Sequence, residues 1–123
     1  MLVQINDTVT LAFAIDSGAS NVSIPADVVS TLARAGTIKS TDFIGTETFV
    51  LADGSKLKSA TFRIRSLKIG QTVVENVTGS IAPSQGSLLL GQSFLQRFKS
   101  WSIDNEKREL VLESQVLADR KGD

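Results

Sequence analysis

The dipeptide Asp53-Gly54 stands between two runs of strand-forming residues, Thr48 to Ala52 and Ser55 to Ile64. An Asp-Gly pair tolerates the positive φ that a tight hairpin turn demands, so this arrangement predicts a long antiparallel hairpin. The same grammar repeats along the chain. Thr8 to Ile15 predicts a strand in which Val9, Leu11, Phe13 and Ile15 share one face by period-two alternation. Further strands are expected at Leu67 to Ile69, Thr72 to Val74, Val77 to Ala82, Leu88 to Leu90, Trp101 to Ile103 and Glu109 to Leu112, with Gly70-Gln71 as another turn. Many short strands separated by turn residues give a mostly β domain. Two helices interrupt it. One opens in Ser23-Ile24-Pro25-Ala26-Asp27 and runs to about Ala35, with Pro near its first turn and Gly36 at its end. The other is a brief stretch from Gln92 to Phe98.

Composition narrows the chemistry open to such a domain. The chain of 123 residues suits a single core, expected over residues 1–113 and followed by a polar tail, 114–123. Hydrophobic residues make up 41% and charged residues 21%, the balance of a chain that folds. Thirteen basic and thirteen acidic side chains cancel, which argues against a nucleic-acid or anionic-membrane partner. Lys56, Lys58, Arg63 and Arg65 alternate as on the solvent face of strands. Cysteine and histidine are both absent. Thiolate chemistry, disulfides, Cys/His zinc sites and Ser-His or Cys-His pairs are thereby excluded, and catalysis would have to run on carboxylates, hydroxyls, Lys or Arg. The longest apolar runs, Leu11 to Ile15 and Leu88 to Leu90, fall far short of the roughly 20 residues that span a bilayer. Residues 1–6 lack the features of a secretory signal, so any targeting segment is expected outside this chain. Three glycosylation sequons begin at Asn6, Asn21 and Asn76. They read as chance in a Ser/Thr-rich chain.

The segment Phe13-Ala14-Ile15-Asp16-Ser17-Gly18-Ala19-Ser20 carries the chemistry. An apolar strand running straight into an acid holds the carboxylate by core packing. Gly18 lets the backbone curl so that main-chain N–H groups point at that carboxylate, and the Ser17 hydroxyl can bond to whatever lies opposite. Asp-Ser-Gly alone is an ordinary turn sequence. One carboxylate makes a poor hydrolase. Two about 3 Å apart cannot both ionise, so they share a proton, one activating a water and the other polarising the carbonyl under attack. A chain this short with one such motif would take its second carboxylate from an identical copy across a two-fold axis. Asp7, Asp27, Asp42 and Asp104 read instead as caps, turns or solvated faces, since none precedes a Ser/Thr-Gly pair.

Three features in order resemble the retropepsin-like aspartic proteases, in particular their bacterial single-domain members. They are Ile15-Asp16-Ser17-Gly18-Ala19-Ser20, the hairpin around Leu51-Ala52-Asp53-Gly54-Ser55, and Leu88-Leu89-Leu90-Gly91 followed by Ser93-Phe94-Leu95. The resemblance spans roughly Val9 to Leu112. It implies a closed β-barrel monomer with one or two short helices, a homodimer, and a peptide or protein substrate. Asp16 would be catalytic, with Ser17, Gly18, Ala19, Ser20, Leu90 and Gly91 as support. Ser17 would bond reciprocally with its dimer mate, and Ser20 would bond the Asp16 carboxylate from outside. Residues Leu51 to Ser55 would form the flap that closes over substrate, here with a charged Asp53 at its tip. No metal or organic cofactor is expected. The resemblance also implies a membrane-tethering or periplasmic setting through a segment beyond this chain. The alternative is a non-catalytic dimerisation or peptide-binding module of the same fold.

Overall fold

A computed structural model describes residues 1–50, 52–82, 86–107 and 109–114. Its strands are β1 (Leu2–Ile5), β2 (Val9–Ala12), β3 (Ala14–Ile15), β4 (Val22–Pro25), β5 (Phe43–Val50), β6 (Lys56–Ile69), β7 (Thr72–Ala82), β8 (Leu89–Leu90), β9 (Phe98–Asp104) and β10 (Glu109–Ser114). The helices are α1 (Ala26–Arg34) and α2 (Gln92–Leu95), and Ser40–Asp42 forms one 3-10 turn.

Eight strands form one sheet in the order β2-β1-β6-β7-β4-β8-β3, with β5 added to β6; β9 and β10 pair separately. The two ends of this path, β2 and β3, are consecutive in the chain and separated only by Phe13. Phe13 N–H donates to Met1 O at 2.7 Å, while Ala14 N–H donates to Leu88 O at 2.9 Å. The sheet therefore nearly closes on itself as a barrel-like layer. Inside lie Val3, Ile5, Phe62, Ile64, Leu90 and Phe94, each at most 1% exposed. Removing that much apolar surface from water is the main favourable contribution to folding. Strand β6 serves two partners along one edge: Lys56 to Phe62 pair with β5, and Leu67 and Lys68 pair with β1. Its other edge pairs with β7 from Thr61 to Ile69. The β5–β6 hairpin thus extends out of the barrel on a strand rooted inside it.

Several sequence expectations change. The run Thr8 to Ile15 is not one strand but breaks at Phe13, though the alternation holds: Phe13 is 3% exposed and Val9, Leu11 and Ile15 pack against the core. Ser23 to Pro25 belong to β4, pairing in parallel with β7, and α1 starts only at Ala26 with Pro25 as its cap. Ile24 is fully buried there, so tertiary pairing overrides the local helix-start pattern. Leu67 to Ile69 continue β6, and β7 runs unbroken through Asn76, at φ 56. Helix α2 stops at Leu95 and Phe98 already opens β9. Strand β10 includes Ser114, assigned above to the tail; the rest of that tail, 115–123, lies outside the described residues.

Asp42 is the one acid whose surroundings differ most from expectation. It caps its 3-10 turn by accepting the Lys39 N–H at 2.9 Å, yet it is 1% exposed rather than solvated. Arg63 and Arg65, read above as a solvent face, approach its carboxylate at 3.5 and 3.4 Å. Arg65 also donates to Thr37 O at 2.6 Å, and Asn6 Nδ2 reaches the same oxygen at 2.7 Å. A buried carboxylate is tolerated only with such partners. This cluster ties the root of β5 to β6 and to the β1–β2 turn.

Candidate active site

Strand β3 delivers Asp16. Ala14 and Ile15 pair in parallel with Leu89 and Leu90, and Asp16 N–H closes the ladder on Leu90 O at 3.0 Å. Beyond that bond the chain turns sharply, with Ala19 N–H on Asp16 O at 3.1 Å. Gly18 N–H donates to Asp16 Oδ1 at 2.9 Å. A Cβ on Gly18 would lie 3.2 Å from that same oxygen, so glycine keeps the approach free. Asp16 is half-buried; Ser17, Gly18 and Ser20 are exposed.

The turn is braced from behind by β8 and α2. Gln92 N–H donates to Ala19 O at 2.8 Å and Ser93 N–H to Ser20 O at 2.9 Å. Helix N-termini leave their first N–H groups without helical partners, and here those groups are used on the turn's carbonyls. Gln92 Nε2 adds a bond to Ser17 O at 2.8 Å. Ser93 Oγ accepts Val22 N–H at 3.0 Å and donates to Thr78 O at 2.7 Å. Gly91 makes the close approach possible: a Cβ there would sit 2.2 Å from Asn21 O and 2.6 Å from Ala19 O. No side chain larger than hydrogen fits.

A cleft of about 230 Å³ opens beside the turn, lined by Gly18, Ala19, Ser20 and Asn21 below, Phe49 of β5 above and Ser80 at the back. It adjoins a second space of about 330 Å³ that shares Ser23, Phe49 and Ser80 and adds Val50 and Leu57 of the hairpin. The hairpin therefore borders the cleft through Phe49, with Val50 and Leu57 on the adjoining space. A larger groove of about 590 Å³ lies between β2 and α1, but it includes no residue of the Asp16 turn and no chemistry converges on it. Asn21 bridges the two walls of the cleft, its Nδ2 donating to Glu47 Oε2 and to Ser80 Oγ, each at 2.9 Å.

At the hairpin tip Gly54 has φ 87, the conformation the turn requires. Asp53 Oδ1 accepts the Ser55 hydroxyl at 2.6 Å and the Ser55 N–H at 2.9 Å. These bonds, the hydroxyl foremost, hold the Asp53 carboxyl below its ordinary value.

The structure thus gathers Asp16, Ser17, Gly18, Ala19, Ser20, Leu90 and Gly91 at one place, and sets Ala52 to Ser55 at the end of the hairpin. Leu51 lies outside the described residues. The described hydrogen bond to the Asp16 carboxylate comes from Gly18 rather than Ser20, whose carbonyl is the atom engaged. Sequence reasoning gave no role in the site to Asn21, Glu47, Phe49, Ser80, Gln92 or Ser93. Only Phe49 carried a usable signal, as a large apolar residue on the same strand face as Glu47. No group of three or more acidic residues placed to hold a metal ion occurs among the described residues, and none of their helices is long and apolar enough to cross a membrane.

An Asp-Ser-Gly turn closed by a parallel two-residue ladder, with a hairpin bordering its cleft, is the arrangement of retropepsin-like aspartic proteases. Residues 1–97 match the family model described as "gag-polyprotein putative aspartyl protease", and the chain belongs to this family. Among solved structures it is similar to a retropepsin-like aspartic protease from Rickettsia conorii, with 28% identity and a TM-score of 0.66. That alignment covers 91% of this chain and 79% of the other. Among curated proteins, none matches the chain.

Proposed function

We propose that the chain is an aspartic endopeptidase that works as a homodimer, pairing the Asp16 carboxylates of two copies. The observation that carries this reading is the presentation of Asp16. Its backbone is fixed by Leu90, one carboxylate oxygen is held by Gly18 N–H, and the side chain stands half-exposed beside a covered cleft. In the dimer, two carboxylates would share one proton. The ionised one takes a proton from water as it attacks the peptide carbonyl, and the protonated one donates a hydrogen bond to the developing oxyanion. The proton then passes to the leaving amine. Because the step needs one carboxyl protonated and the other ionised, the rate should be greatest under acidic conditions.

In that dimer the exposed Ser17 would meet its symmetry mate. Strand β5 pairs only with β6 among the described residues, so its outer edge is free to take an extended peptide as an added strand.

Peptide cleavage at mildly acidic pH, measured with solution mass, tests the reading. Asp16→Asn should lower kcat/KM by at least about a thousandfold while the fold and the dimer persist. Full activity in that variant, or a strict monomer that still cleaves, would overturn it.

A further inference from the structure

We infer that Glu47, oriented by Asn21, selects substrates that carry a basic side chain near the bond to be cut. This rests on the proposed peptidase reading and adds a substrate class to it.

Glu47 lies on the cleft-facing side of the hairpin. Along β5 the partly buried positions are Glu47 and Phe49, while Thr46, Thr48 and Val50 are exposed. Phe49 lines the cleft, and Ser59, opposite Glu47 across the ladder, is 8% exposed. Glu47 therefore points inward, as successive strand residues alternate faces. Lys56 and Lys58 sit opposite Val50 and Thr48, on the other face, and are exposed.

The carboxylate is aimed without being neutralised. Oε2 accepts one bond from Asn21, whose amide is itself fixed by Ser80. The ion pairs among the described residues join Asp42 to Arg63 and Arg65, and Lys99 to Glu113; none involves Glu47. The cleft lining itself, Gly18 to Asn21 with Ser23, Phe49 and Ser80, carries no charge, and Glu47 stands at its edge behind Asn21. A half-buried carboxylate with one oxygen held and no cation beside it favours a cation brought by a ligand, and Arg or Lys of a bound peptide supplies one. In a two-fold dimer the carboxylate occurs twice, once toward each end of the cleft, so a basic residue would be favoured on either side of the scissile bond.

The test is a positional scan of otherwise identical peptides carrying Arg, norleucine or Glu at each site around the cleaved bond. It is read both as kcat/KM with the native dimer and as affinity for the Asp16→Asn dimer. Arg should exceed norleucine about fivefold at one position at low salt, and the ratio should shrink as salt is added. Glu47→Gln, which can still accept from Asn21, should bring that ratio to about one, and Glu47→Lys should turn it in favour of Glu. A ratio that survives Glu47→Gln, or no salt-dependent preference at any position in either readout, overturns the inference. So does an equal loss for all peptides in both variants, which would mark Glu47 as a brace only. Binding preference that depends on Glu47, in a protein that cleaves nothing, would uphold this inference while sinking the peptidase reading.

Discussion

The Asp16 turn and the tip of the β5–β6 hairpin are held in opposite ways. Residues 16–21 are tied by backbone bonds to Leu90, Gln92 and Ser93, which lie more than 70 positions along the chain. Among the described residues, 52–55 are held by the local bonds from Ser55 to Asp53, with Val50 70% exposed nearby. Long-range bonds among buried partners open only when the barrel opens, whereas local exposed ones open singly. The turn is a fixed floor and the hairpin tip a yielding cover, the division of labour that the proposed binding of an extended peptide would call for.

The same substitution at both places breaks or confirms that contrast. Gly91→Ala must push apart α2 and the Asp16 turn, and is expected to cost about 3 kcal/mol in urea denaturation. At Gly54, where a Cβ would meet nothing within 4 Å, the cost of alanine is the positive φ itself, about 1 kcal/mol. Equal costs would show that the floor is as compliant as the cover. Between these extremes lies the root of the hairpin. Asp42→Ala removes the carboxylate that pairs with Arg63 and Arg65 and accepts the Lys39 N–H, and should destabilise the domain by about 2 kcal/mol, discounted because both arginines are partly exposed. A thermal midpoint unchanged in Asp42→Ala would mean the cover is rooted by the β5–β6 ladder alone.

The smallest effect is expected at the tip. The Asp53 carboxyl is held below its ordinary value, so its contribution is fully present above the unfolded value and is lost as pH falls through the folded one. Amide exchange at Gly54 and Ser55, corrected for intrinsic pH dependence, should therefore quicken under acid conditions, while the Gln92 and Ser93 amides, which donate to backbone carbonyls, keep their protection. A tip that stays equally protected would show that something other than Asp53 holds it.

Which parts of this were legible in the sequence follows from how far apart the determining residues lie. Asp53-Gly54 fixes its hairpin by turn chemistry, and Gly36, at φ 81, closes α1 as its position suggested. The Asp16 turn was readable because acid, hydroxyl and glycine are adjacent. Strand β4 was not, since Ser23 to Pro25 become a strand only by pairing with Ser80 to Ala82 of β7. The same distance hid Asn21, whose two partners, Glu47 and Ser80, come from different strands. Asp42 was readable as a cap but not as a buried group, because alternation in Arg63 and Arg65 identifies a shared face without revealing what stands against it.

The single residue that joins the two ends of the sheet constrains how this chain can vary over evolutionary time. Strand residues alternate faces, so losing or gaining one position at Phe13 would invert the phase of β3. Ile15 would then face the cleft and Asp16 the core. Lineages descending from such a chain should keep the count from Val9 to Asn21 invariant, while insertions accumulate at Ala52 to Ser55, where length does not set the phase of anything downstream.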